Sequence, residues 1–438
     1  MRLPAWLAVG VLALALAPPA AARPDEDGAP DGYTPGAVVC HVDVDARVRA
    51  WWSDTPGDHD APAGADGDCA TVPPWIAIVG QSATGALDVA RALGFPPPPQ
   101  DGARGGDPRY DIYVLDLGAR EKGVLGLASL DGVGPASSLL VDESYADELP
   151  PGYPTAPEDE LRVTVAHELF HAIQFGMGAV ELPQWILEGT AVWFEAHAQP
   201  SIPDNHGYLR RHLTGDRGRL PLWVQGGCGN TCWVPGLPRD DVHVYATWLF
   251  FWSAADERGD VGLVHRLLTR LVAAGPRDDF GLAALRAATG GDLPVRLREY
   301  GLSLLGRRRI GPNLVPAEVA AGPARDRRAT PGADARGSLW PLQPLFVGLA
   351  PVAGAGRVVV RTTPAPASLL RRGLALQLAD GRVLRLPRQV EDTLVFDVPP
   401  ASGGGTLVLT STRAVWPLAY RVELRPVQRP ASAGDRTA

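Results

Sequence analysis

The stretch TVAHELFHAIQFG, residues 164–176, holds His167, Glu168 and His171 in the order H-E-x-x-H. Val165, Leu169 and Ile173, with Leu161 before them, form one apolar stripe at helical spacing, and Gly176 and Gly178 supply stop signals. Positions four apart on a helix share a face, so both imidazoles are expected to point at one metal ion. Glu168 lies about 100° round the helix, placed to reach a water at that metal without using up a ligand position. The same letters also describe an ordinary amphipathic helix that carries two histidines. A third ligand separates the readings, because a hydrolytic zinc site uses three protein ligands and keeps one position open.

WILEGTAVWFE, residues 185–195, offers that ligand in a second expected helix, QWILEGTAVWFEAHA. Glu188 follows His171 by 17 residues, which gives the chain room to turn back. Glutamates are normally solvated, yet Glu188 stands among Trp185, Ile186, Leu187, Ala191, Val192 and Trp193. A carboxylate in that company is expected to be paired or metal-bound. Gly189 beside it permits close helix approach. Glu195, seven residues further on, returns to the same face; it reads equally as an acceptor for a ligand histidine or as a surface acid.

H-E-x-x-H followed by W-x-x-E-G-x-A-x-x-x-E resembles the gluzincin zinc metallopeptidases, and among them most a group of secreted metalloproteases of myxobacteria and other GC-rich bacteria. The resemblance is strongest over residues 158–197. It implies an α+β zincin-like catalytic domain, Zn2+ (one per chain) held by His167, His171 and Glu188, and Glu168 as general base. It further implies a downstream tyrosine or histidine that stabilises the oxyanion. Tyr245 in DVHVYATWLFFW is the candidate and His243 the runner-up; Tyr245 reads as well as a core aromatic beside Trp248, Leu249 and Trp252. Three departures stand out. The His171-to-Glu188 interval is shorter than in the thermolysin and aminopeptidase branches, the upstream G-x-M-E-N stretch of aminopeptidases is missing, and Val192 sits where thermolysin-like enzymes carry an acid. The missing G-x-M-E-N stretch favours an endopeptidase acting on a protein or peptide substrate over an exopeptidase. A non-catalytic zincin-fold binding protein is the alternative from another class, and the intact Glu168 argues against it.

The remainder of the 438 residues sets the context. Hydrophobic residues at 45% suffice for a sizeable core. A net charge of −8 with no basic run excludes a phosphate-tracking surface, hence nucleic acid, and no polybasic membrane patch occurs. Residues 1–22 read as a signal peptide: MR, then the apolar LPAWLAVGVLALALA, then small residues at Ala20 and Ala22. That run is too short for a membrane span, which takes about 20 apolar residues. A secreted or periplasmic monomer is expected. Its four cysteines then pair as disulfides, Cys40 with Cys69 and Cys228 with Cys232 being the preferred connectivity of three. Acid-rich loops such as DTPGDHDAPAGADGD raise Ca2+ as a possibility, but none matches a calcium-loop pattern. His41, His59, His197, His206, His212 and His265 lack a partner at ligand spacing and read as structural or solvated.

Along the chain, residues 23–36 are expected to be a flexible terminus, AVVCHVDVDARVRAWW a strand, and residues 200–240 an irregular insertion. The zincin-like domain is expected over 23–311, a Pro/Gly/Ala/Arg-rich linker over 312–337, a small all-β sandwich over 338–426 and a disordered tail over 427–438.

Overall fold

The structure, a computed structural model, describes residues 23–427 apart from 27–31, 101, 120–122, 133, 146–148, 150–154, 180–181, 213–219, 225–242, 276–278, 307–308, 312, 315–322, 324, 326, 365–366, 401 and 413–416. The expected signal peptide, the Cys228–Cys232 pair and the tail from 428 lie outside the described residues. The described residues are α+β: a mixed sheet with a group of helices, followed by a two-stranded sheet and two five-stranded sheets, with no barrel among them.

A five-stranded sheet, ordered β1-β2-β3-β5-β4, opens the chain, with β1 Val39–Asp43, β2 Val48–Ser53, β3 Tyr110–Leu115, β4 Gly126–Leu130 and β5 Ser137–Asp142. Strands β2, β3 and β5 run parallel; β1 and β4 are antiparallel edges. The segment AVVCHVDVDARVRAWW is therefore a hairpin and not one strand. The Asp45 carboxylate accepts the N–H groups of Arg47 and Val48 and turns the chain there, an Asx turn. Helix α1, Pro74–Ala92, crosses from β2 to β3, starting at a proline whose missing N–H costs a helix start nothing. Cys40 in β1 is joined to Cys69 in the loop before α1.

Helix α2, Pro157–Gly176, and helix α3, Gln184–Ala198, follow the sheet. Buried Ile76, Val79 and Ala83 of α1, Ile112, Val114, Leu139 and Val141 of the sheet, and Val165, Leu169 and Ile173 of α2 share one core. Alternation along β3 puts Tyr113 and Leu115 on the opposite face, where Tyr33 covers them. The segment expected as a flexible terminus thus closes the back of the sheet: Thr34 bonds Asp58 and Asp60, and Arg23 is buried.

Helices α4 His206–His212, α5 His243–Ala246, α6 Trp248–Ala254, α7 Leu263–Ala274, α8 Leu282–Ala288 and α9 Leu293–Ser303 complete the first half. Helix α4 corrects the expectation of a wholly irregular insertion over 200–240. The apolar run HVYATWLFFW divides between α5 and α6, where the Thr247 hydroxyl donates to the carbonyls of Val244 and Trp185.

Short strands β6 Arg309–Ile310 and β7 Asn313–Leu314 lead into the β half. One sheet there has the order β13-β12-β16-β10-β8 and the other β14-β15-β11-β17-β9. The strands are β8 Arg327–Ala329, β9 Ala335–Leu339, β10 Pro344–Leu349, β11 Gly356–Thr363, β12 Leu374–Leu378, β13 Val383–Arg385, β14 Arg388–Val390, β15 Thr393–Val398, β16 Gly405–Thr410 and β17 Leu418–Pro426. Leu345, Val347, Leu376 and Leu407 of one sheet and Val358, Val360, Phe396 and Val422 of the other meet in one core. The stretch 312–337, expected as a linker, instead supplies β7, β8 and part of β9. β8 pairs parallel with β10 and β9 antiparallel with β17, so hydrogen bonding to preformed strands overrides a composition poor in β formers. Among the described residues no helix is long and apolar enough to cross a membrane.

Candidate metal centre

Helix α2 carries His167, Glu168 and His171, all buried, and α3 lies against it with Glu188. What lets α3 sit so deep is Gly189. A Cβ there would come within 2.1 Å of Thr247 Oγ1 and 2.9 Å of Phe251, so only glycine allows α3 to pack on the α5–α6 junction. Gly126 does the same for β4 and α2, since its Cβ would meet Thr164 at 2.6 Å and the Glu168 stem at 3.1 Å.

Three ligand-type atoms converge. His167 Nε2 and His171 Nε2 are 3.0 Å apart, and Glu188 Oε2 lies 3.3 Å from the first and 3.4 Å from the second. The other nitrogen of each ring is committed elsewhere. His167 Nδ1 is 2.5 Å from Glu195 Oε1, and His171 Nδ1 is 2.7 Å from Gln174 Oε1. The amide of Gln174 is oriented by its NH2 donating to Leu187 O and Thr190 Oγ1, so its oxygen faces the ring. Both Nδ1 atoms are therefore donors, and in neutral rings both Nε2 atoms present lone pairs. Two lone pairs and a carboxylate oxygen at this separation repel one another unless a cation sits among them, either a proton or a metal ion.

The donor set fits zinc. Ligand atoms at about 2.0–2.1 Å from a tetrahedral ion stand about 3.3 Å from each other, close to the 3.0, 3.3 and 3.4 Å found here. The electrostatics point the same way. Burial pushes the Glu188 carboxyl up, but the imidazoles facing it outweigh burial and hold it down at about 2. Burial disfavours a charged His167, yet the Glu188 and Glu195 carboxylates beside it raise its proton affinity well above the usual value. Burial lifts Glu195 to about 7 against the opposing pull of His167. Together these groups make a buried site that favours positive charge.

Glu168 sits apart from the three. Its Oε2 accepts the backbone N–H of Ala128 in β4 at 2.9 Å, and burial raises its pKa although His167 and His171 oppose the shift. Pairing with β5 leaves Ala128 with its N–H turned to the free edge of β4, away from the sheet, which is why Glu168 can take it. Tyr245 of α5 places its ring 6.0 Å from that of His167 and stacks on Tyr208. His243 is turned the other way, with Nε2 donating to Pro221 O at 3.1 Å. The acid-rich loop gathers Asp58, His59 and Asp60, but their carboxylates are taken by Thr34, Ser53 and the Asp116 N–H.

Of the residues singled out from the sequence, His167, His171, Glu188, Glu168 and Tyr245 thus lie in one neighbourhood, and His243 faces away from it. Glu195, left open between two readings, is buried on His167. Gln174 was missed: its position three residues after His171 was a usable signal, but glutamine is common on helices and its amide carries no charge to mark it. The chain matches no known protein-family model and no curated protein.

Proposed function

We propose that the chain is a zincin-like peptidase of the gluzincin type, with an active site formed where β4, α2 and α3 meet. More particularly, we read it as an exported zinc-dependent endopeptidase. His167, His171 and Glu188 hold the ion, and the observation that carries this reading is the convergence of two lone-pair nitrogens and a carboxylate whose remaining ring nitrogens are already spent as donors. Zinc, when bound, supplies a Lewis acid that polarises the scissile carbonyl and acidifies water.

The chain's own residues supply the rest. Glu168, raised in pKa by burial, is suited to take a proton from the attacking water and pass it to the leaving amine. The Ala128 N–H fixes the carboxylate of Glu168 in one orientation. Glu195 and Gln174 hold the two ligand rings in a single tautomer and pose. Tyr245, whose ring centroid lies 6.0 Å from that of His167, is our candidate to donate a hydrogen bond to the oxyanion that develops at the carbonyl.

The test pairs two measurements on purified protein. Wild type and Glu168→Gln are predicted to bind zinc alike, while casein cleavage falls by about 100-fold or more in the variant, the usual contribution of a general base. Equal cleavage by both would remove Glu168 from the mechanism, and zinc binding without cleavage by either would favour a binding protein.

A further inference from the structure

Arg23 is among the largest fully buried side chains of the described residues, at 2% exposed. Its Nη1 lies 2.5 Å from Asp111 Oδ2 in β3, and its Nε and Nη2 grip Asp131 at 3.0 and 2.5 Å. A buried guanidinium is tolerated only with such pairing, and the two-pronged hold on Asp131 fixes direction as well as charge. Its neighbours are tied down too. Asp25 accepts the Tyr113 hydroxyl at 2.6 Å, and Glu26 accepts two Arg104 nitrogens at 3.0 and 2.8 Å. The backbone nitrogen of Arg23 donates to Glu26 Oε2 at 3.1 Å.

What Arg23 holds is the edge strand. Asp131 directly follows β4, and its N–H donates to Ala136 O to close the β4–β5 hairpin. Strand β5 lies between β4 and β3, so one side chain ties the hairpin end to a strand two places away. Three residues upstream of Asp131, the Ala128 N–H orients Glu168. The sequence independently marks the bond before Arg23: an apolar run followed by small residues at Ala20 and Ala22 is the pattern of a signal-peptide cut after Ala22.

We infer that the chain is cut between Ala22 and Arg23 and that Arg23, as the new N-terminal residue, locks β4 through its guanidinium while its α-ammonium pairs with Glu26. A separate endopeptidase that reads the small residues performs the hydrolysis. The Ala22–Arg23 C–N bond breaks, water gives its hydroxyl to the Ala22 carbonyl carbon and a proton to the Arg23 nitrogen, and the new acid's proton passes to the amine. An α-amino group has a pKa of about 7.7–8.0 and is largely charged at pH 7. The N–H to Glu26 contact, already assisted by the carboxylate's charge, thereby becomes an ion pair. The lock does not depend on which metal, if any, the centre holds.

The experiment secretes the full chain from a bacterial host and sequences its N-terminus, which is expected to be Arg23; any other start overturns the cut. The secreted protein is then compared with one carrying Gly-Ser ahead of Arg23 and with Arg23→Gln. The extended protein is expected to melt about 1 °C lower, the effect of losing one partly exposed ion pair in a chain of this length. In both variants the Ala128 and Asp131 amides are expected to exchange about threefold faster or more, as local opening of the hairpin requires. Unchanged melting and exchange overturn the lock. Should Arg23→Gln fail to accumulate, Arg23→Lys, which keeps the charge but not the two-pronged hold on Asp131, takes its place in the exchange measurement.

Discussion

At the residue scale, the centre is an argument about where protons are. Each ligand histidine has one nitrogen spent on an acceptor, Glu195 or Gln174, and that commitment frees the other for a cation. Removing the acceptor leaves the ring free to rotate and to change tautomer. Glu195→Leu and Gln174→Leu are therefore predicted to weaken zinc binding about 10–100-fold each, the usual cost of losing such a partner. Competition with a chromogenic chelator measures this, and unchanged affinity in both would mean that the rings are held by packing alone. The meeting of His167, His171 and Glu188 was legible in the sequence, because residues four apart share a helix face and Glu188 stood in apolar company. Gln174 was not, since an uncharged amide looks the same whether it faces solvent or a ring. Glu195 was half legible: its position on the Glu188 face could be counted, but its burial depends on where α3 lies.

Elements put these residues together through close approaches that only glycine permits. Gly189 lets α3 press on Thr247, and a Cβ there would collide with backbone-anchored atoms, since the Thr247 hydroxyl is bonded to two carbonyls. Gly189→Ala is predicted to cost about 1–3 kcal/mol, the range for overpacking a filled core, and to displace Glu188 and weaken zinc binding. Urea unfolding with a parallel zinc titration checks both; wild-type values for each would show that α3 has slack. Helix α2 was readable from its apolar periodicity and the glycines at its end, and α3 from the apolar run around Glu188. The β1–β2 turn was hidden because alternation continues through Asp45, and only that side chain's bonds to two N–H groups reveal the reversal. The break between α5 and α6 was hidden in the same way by an unbroken apolar run around Thr247.

At the scale of the whole molecule, the β half is packed onto the helical half. Phe346 of β10 and Val408 of β16 belong to the same core as α9, a Cβ on Gly301 of α9 would lie 2.7 Å from Val408, and Glu299 accepts two bonds from Arg385. Residues 312–337 looked like a linker because composition reports local preference, whereas β8 and β9 exist through partners elsewhere in the chain. A protein ending at residue 311 would expose the face of α9 around Gly301 that packs on Pro344 and Val408. It is predicted to be insoluble or to unfold at least about 5 °C lower, since burial of a few large apolar side chains contributes several kcal/mol; a soluble truncated form with full stability would show that the halves are independent. Above these details stands the claim that the buried trio binds zinc. Its most direct test is calorimetric titration of metal-stripped wild type and Glu188→Ala with zinc. One ion per chain is predicted for wild type, with affinity lowered by more than about 100-fold in the variant because a ligand and not merely its support is gone. No zinc uptake by wild type, or equal affinity in the two proteins, would contradict it.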